Sequence, residues 1–149
     1  MAKSTPELID ALRATAARLA DGAQYEWGHM GRCNCGHLVQ TLTNMSSYEI
    51  VQSTDFVLGE WSEHARDYCE GTGHKMDDIF LTLQQVGFDY WDVIHLENLS
   101  DQRVLQRLQP QMRYPRRNCV TDVICYIETM ADLLAEEQAM ADVEVAPVA

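Results

Sequence analysis

Two of the five cysteines and two of the five histidines fall between His29 and His37, in Tyr25-Glu26-Trp27-Gly28-His29-Met30-Gly31-Arg32-Cys33-Asn34-Cys35-Gly36-His37-Leu38. A sparser version follows at Cys69-Glu70-Gly71-Thr72-Gly73-His74. Thiolate and imidazole donors suit zinc or iron and disfavour magnesium or calcium. In an extended loop the residues at i, i+2 and i+4 project to one side, so Cys33, Cys35 and His37 would converge on one ion. In a helix Cys33 and His37 would share a face while Cys35 pointed away. Gly31 and Gly36 favour the loop, because glycine permits the positive φ values that wrap a backbone around an ion. The expected metal set is therefore Cys33, Cys35 and His37, completed by Cys69 or His74, with His29 in reserve. Four protein donors would make a structural site, and three would leave a position open for chemistry. Haem attachment needs Cys-x-x-Cys-His, which this spacing lacks, and a ferredoxin cluster uses longer, purely cysteine runs.

Two other readings compete with the metal. Cysteine is among the most buried residue types and packs as a small hydrophobe, so the same stretch could serve a structural or interaction module that binds no ion. Alternatively Cys35 is a nucleophile. It follows Asn34 near an expected helix N-terminus, where the macrodipole lowers a thiol pKa, and a nearby imidazole could complete its activation. Locally, Asn34-Cys35-Gly36-His37-Leu38 resembles the Asn-Cys-x-His-Phe stretch of lecithin:retinol acyltransferase-like thiol enzymes. The resemblance covers five residues and implies an α+β fold with a strand-borne histidine upstream. Nothing upstream of Cys35 reads as that strand, so the activity is not carried over.

The 149 residues fit one domain, and a net charge of −12 opposes binding to nucleic acid or anionic membranes, both of which need a positive field. The first residues lack the apolar core of a secretion signal, and no window approaches a membrane span. The expected location is the cytoplasm, where disulfides are rare, and an odd number of cysteines also fits poorly with a complete disulfide framework. No phosphate loop or dinucleotide fingerprint is present. His64-x-x-Asp67 and Asp92-x-x-His95 each place an acid and an imidazole three apart, and both read as solvated polar faces. Arg103, Arg107, Arg113, Arg116 and Arg117 crowd one quarter of an acidic chain. A small anionic ligand or an acidic protein partner could bind near Arg113, Arg116 and Arg117. Pairing with the chain's own carboxylates is the simpler expectation.

The elements that must position these residues read as helices. Thr5 or Ser4 can cap a first helix carrying Leu8, Leu12, Ala16 and Leu19 on one stripe, stopped by Gly22. Asn34 can cap a second, running to about Asn44. Ser46 or Ser47 restarts the chain, Asp55 to Leu58 is ambiguous, and Ser62 can cap a helix with His64 and Tyr68. Met76, Ile79, Phe80, Leu83 and Val86 make another stripe, closed by Gly87. Asp89 and Ser100 cap two more, and Asn118 opens the longest, with Val120, Ile124, Ile127, Ala131 and Leu134 inward. No alternating apolar run or hairpin signal appears. The predicted fold is all-α: an irregular compact bundle of about six to seven helices over residues 1–142, with glycine-rich Cys/His loops and a frayed tail over 143–149.

Overall fold

The computed structural model describes residues 2–54, 60–68 and 76–145, which form helices and connecting turns with no strand among them. The predicted all-α bundle is the observed one. Helix α1 (Pro6–Ala20) starts as expected, with Pro6 in its first turn and the Thr5 hydroxyl accepting from the Leu8 N–H. Helix α2 (Asn34–Thr43) ends at Asn44, whose φ of 59° closes it in the left-handed conformation that asparagine tolerates. Helix α3 (Ser47–Gln52) carries a complete capping box between Ser46 and Glu49. Helices α4 (Trp61–Tyr68), α5 (Met76–Gln85) and α6 (Tyr90–Asn98) follow, α6 with a second capping box made by Asp89 and Asp92. The short α7 (Gln102–Leu105) and a single 3-10 turn at Pro110–Met112 lead into α8 (Val120–Val145).

The core runs between α1 and α8 and beneath α2. Leu8, Leu12, Ala16 and Leu19 are all buried, as their spacing predicts. On α8 the buried face is rotated from the predicted stripe. Val123, Tyr126, Ile127, Met130 and Leu134 are buried, whereas Val120 and Ile124 are only half-covered. The Tyr126 hydroxyl accounts for part of this, because it accepts from the Asp101 N–H at 3.0 Å and so anchors the helix against the start of α7. Asp101 also caps α7, one residue beyond the predicted Ser100. Helix α8 continues to Val145, into the stretch predicted to fray. No described helix is long and apolar enough to cross a membrane.

Helix α2 is the hub for the Cys/His stretch, touching α1, α3, α5 and α6. Close approach at its N-terminus depends on two glycines. A Cβ at Gly36 would collide with the Met30 carbonyl oxygen and lie 2.6 Å from the Gly31 carbonyl carbon. One at Gly31 would meet the Ser47 backbone, 2.7 Å from its Cα. Neither glycine has a positive φ; Gly22, Gly28 and Gly87 do. Gly31 and Gly36 are thus needed because backbone passes backbone there, not for a positive φ. The indole N–H of fully buried Trp61 donates to the Met30 carbonyl at 2.8 Å and ties α4 to the same stretch.

Candidate functional site

The first turn of α2 is where sequence and structure part. Residues 34–37 are helical, so the extended Cys33–His37 loop is corrected, and the N-cap is Cys33 rather than Asn34. Cys33 keeps an extended conformation, φ −83° and ψ −170°, and its sulfur accepts from the Gly36 N–H at 3.5 Å. That conformation lies off the helical cylinder. The Cys33 side chain therefore folds back over the first turn of the helix that carries Cys35.

Both thiols are buried, Cys33 at 1% and Cys35 at 2% exposure, and the Cys33 thiol reaches the Met30 carbonyl at 3.9 Å. Cys35 also donates to the Val93 carbonyl at 3.4 Å. Burial pushes both thiols well above the ordinary cysteine range, and the neighbouring Glu97 charge adds to the rise. The lowering expected from the helix dipole at Cys35 is outweighed by desolvation. Burial likewise raises the Glu97 carboxyl, with the two thiols and the Cys35 N–H pulling it back. Glu97 is 4% exposed, and its Oε2 has no hydrogen-bond partner among the described residues.

His37 points elsewhere. Its Nδ1 accepts from the Arg18 guanidinium at 2.8 Å, so the proton sits on Nε2, which donates to the Gln24 carbonyl at 2.8 Å. Burial lowers the imidazole pKa, and the ring is neutral with both nitrogens engaged. Asn34 is buried between α2 and α6. Its Nδ2 donates to the carbonyls of Leu96 and Glu97 at 2.9 and 3.1 Å, at the C-terminus of α6. Asn34 therefore caps the end of a different helix. Its Oδ1 faces the Tyr25 hydroxyl, which has the Arg117 carbonyl as a second acceptor for its single proton.

Of the five predicted ligands, Cys33 and Cys35 are buried at the start of α2, and His37 is turned to Arg18 and Gln24. Cys69 and His74 fall outside the described residues. Among the described residues, no three His, Cys, Asp or Glu side chains already stand in a ligating arrangement. The other described histidines make contacts within the scaffold. His29 Nδ1 accepts from the Gly31 N–H at 3.1 Å, His64 Nδ1 meets the Glu60 carbonyl at 3.0 Å, and His95 Nδ1 meets Ser100 at 2.9 Å. Sequence reading missed Glu97. The signal available was its place one turn after Val93 on an otherwise apolar face, which buries an acid that should have been solvated.

The arginine-rich segment is spread over two surface depressions. Arg113 lines one with Gln102, Gln106 and Tyr114, and Arg116 and Arg117 line another with Trp27 and Asn98. Arg103 pairs with Glu137, Arg107 with Glu136, and Arg116 with Asp122 at 3.1 Å. Arg117 lies 4.4 Å above the Trp27 ring and donates to Asn98 at 2.8 Å. Pairing within the chain is what the acidic composition led one to expect. No protein-family model, no curated protein and no solved structure matches the chain.

Proposed function

We propose that this chain is a small helical metal-binding protein that holds a zinc or iron ion at the N-terminus of α2 through the thiolates of Cys33 and Cys35. The observation that supports this reading is the burial of two free cysteines, Cys33 and Cys35, at the start of one helix. An ion there displaces the thiol protons and removes the desolvation problem that raises both pKa values. Cys69 and His74 are further donors under this reading. His37 acts as a positioning residue, since its two nitrogens hold α2 to Arg18 and Gln24. A reducing compartment such as the cytoplasm keeps the thiols available. An anionic ligand at Arg113, Arg116 and Arg117 forms no part of the proposal, because Arg116 and Arg117 are engaged within the chain.

Elemental analysis of protein purified without a histidine tag tests the reading. Close to one equivalent of zinc or iron is expected, with a melting temperature that falls in chelator. Less than about 0.1 equivalent, with melting unchanged by chelator, overturns it.

A second reading makes the same stretch a structural keystone in a helical interaction module. The bonds from Asn34 to the end of α6 favour it. It expects Cys33→Ser and Cys35→Ser to shift melting without removing any ion.

A further inference from the structure

Within the arginine-rich segment the chain leaves one cation to solvent. Arg103, Arg107 and Arg116 meet carboxylates, and Arg117 lies over Trp27 and donates to Asn98. The exposed Arg113 side chain has no hydrogen bond or ion pair among the described residues, in a chain with 23 acidic residues against 11 lysines and arginines. We propose that the depression beside α7 docks a short peptide segment of a partner protein, one that carries a single carboxylate next to an apolar side chain, with Arg113 taking the carboxylate. The inference does not depend on the metal reading.

Gln102, Leu105, Gln106, Arg113 and Tyr114 line this depression, whose volume is about 330 Å³. That is near the lower end of the range for ligand sites, roughly 300–1,000 Å³, so it holds a few side chains and no more. Gln102 and Gln106 stand four apart on α7 and its C-cap, which puts both amides on one face, and neither side chain has a hydrogen bond among the described residues. They can bond the main chain of a peptide, whose N–H and C=O groups need both a donor and an acceptor. Leu105 is partly buried against the core and supplies an apolar floor. Tyr114 is 93% exposed, an unusual place for a large aromatic ring that the fold does not use. It stands between the turn at Pro110–Met112 and Pro115, and a residue before proline has a restricted backbone, so the ring is presented at little entropic cost. Tyrosine and arginine together are the residues that most often anchor protein interfaces. The charge pattern narrows the partner. One unpaired guanidinium matches one carboxylate through its planar fork, whereas phosphate groups are met by arginine clusters. A net charge of −12 repels a polyanion at long range, so the segment that docks is short of negative charge apart from the group Arg113 takes.

Nuclear magnetic resonance of the full 15N-labelled chain tests the site with acetylated, amidated tripeptides in which glutamate is flanked by leucine, phenylalanine or tryptophan, and with the matching glutamine set. Saturable shifts are expected at the Tyr114 amide and the Arg113 Nε–H, with a dissociation constant on the order of 1 mM or tighter for at least one glutamate peptide. Its glutamine counterpart should bind at least about 5-fold more weakly, and Arg113→Gln should weaken the glutamate peptide by a similar factor. Tyr114→Ala should weaken it by about 3-fold or more. Both substitutions fall on exposed side chains, so resonances away from the depression should stay in place. No saturable shift with any glutamate peptide up to about 5 mM overturns the proposal. Equal binding of the glutamate and glutamine sets removes the role of Arg113 and sinks it as well. Sodium acetate or inorganic phosphate binding as tightly as the best tripeptide would reduce the site to a bare anion contact. Shifts at Arg113 and Tyr114 that grow with protein concentration alone would give the surface to a second copy of the chain instead.

Discussion

The α2–α6 junction and the arginine-rich segment look alike in the sequence, each a dense run of residues able to do chemistry, and the fold treats them in opposite ways. At the junction Cys33, Asn34, Cys35, His37 and Glu97 are all buried. In the segment from Arg103 to Arg117 the cations lie toward solvent, and several meet carboxylates of α8. Burial multiplies the consequence of every polar group, because low local dielectric strengthens a satisfied bond and penalises an orphaned one. Exposure does the reverse, since water and salt screen each pair. A cluster's density in sequence therefore says little about its weight. The junction should dominate stability, and the arginine pairs should hardly register.

Asn34→Leu gives the largest expected effect. It removes the amide that caps the end of α6 and leaves the Glu97 carbonyl without that partner, at a cost of about 1–3 kcal/mol in urea unfolding. A loss below about 1 kcal/mol would mean that water reaches the junction and the contrast in burial is overstated.

An intermediate effect is expected at Asp122, which sits between the two regimes. The Arg116 backbone N–H, followed by its guanidinium, holds the Asp122 carboxyl below the usual aspartate range. A depressed carboxyl stabilises the fold above its unfolded pKa of about 3.9, and the contribution is lost as pH falls through the lower folded value. Wild-type stability should thus drop more steeply than that of Asp122→Asn as pH falls below about 4. The difference should be about 1 kcal/mol, discounted because the Arg116 side chain is 71% exposed. Parallel pH profiles for the two proteins would show instead that this pair behaves like the purely exposed ones.

Arg107→Ala marks the small end. Its partner Glu136 is 60% exposed in the side chain, and the expected cost is under about 1 kcal/mol, shrinking further in high salt. A salt-insensitive loss above about 2 kcal/mol would show that this segment packs as well as pairs.

Helix existence and most helix ends were legible in the residues themselves. Thr5, Ser46 and Asp89 satisfy N–H groups within three residues of their own position, so their role is written locally. The stripe of α1 was equally plain, because a period near 3.6 survives any choice of partner helix. The α8 face was less so, since Tyr126 finds its partner in Asp101, far back along the chain.

At the candidate site the limits are sharper. The sequence singled out Cys33 and Cys35 as candidate ligands, and it placed a helix start within one residue of the true one. It could not say that Asn34 caps α6 across 62 positions, that His37 turns to Arg18 and Gln24, or that Glu97 is buried at the end of α6. Those facts depend on which helices meet. Capping and periodicity are settled by backbone groups a few residues apart, whereas the partners of a buried polar side chain are settled only when the whole core closes around it.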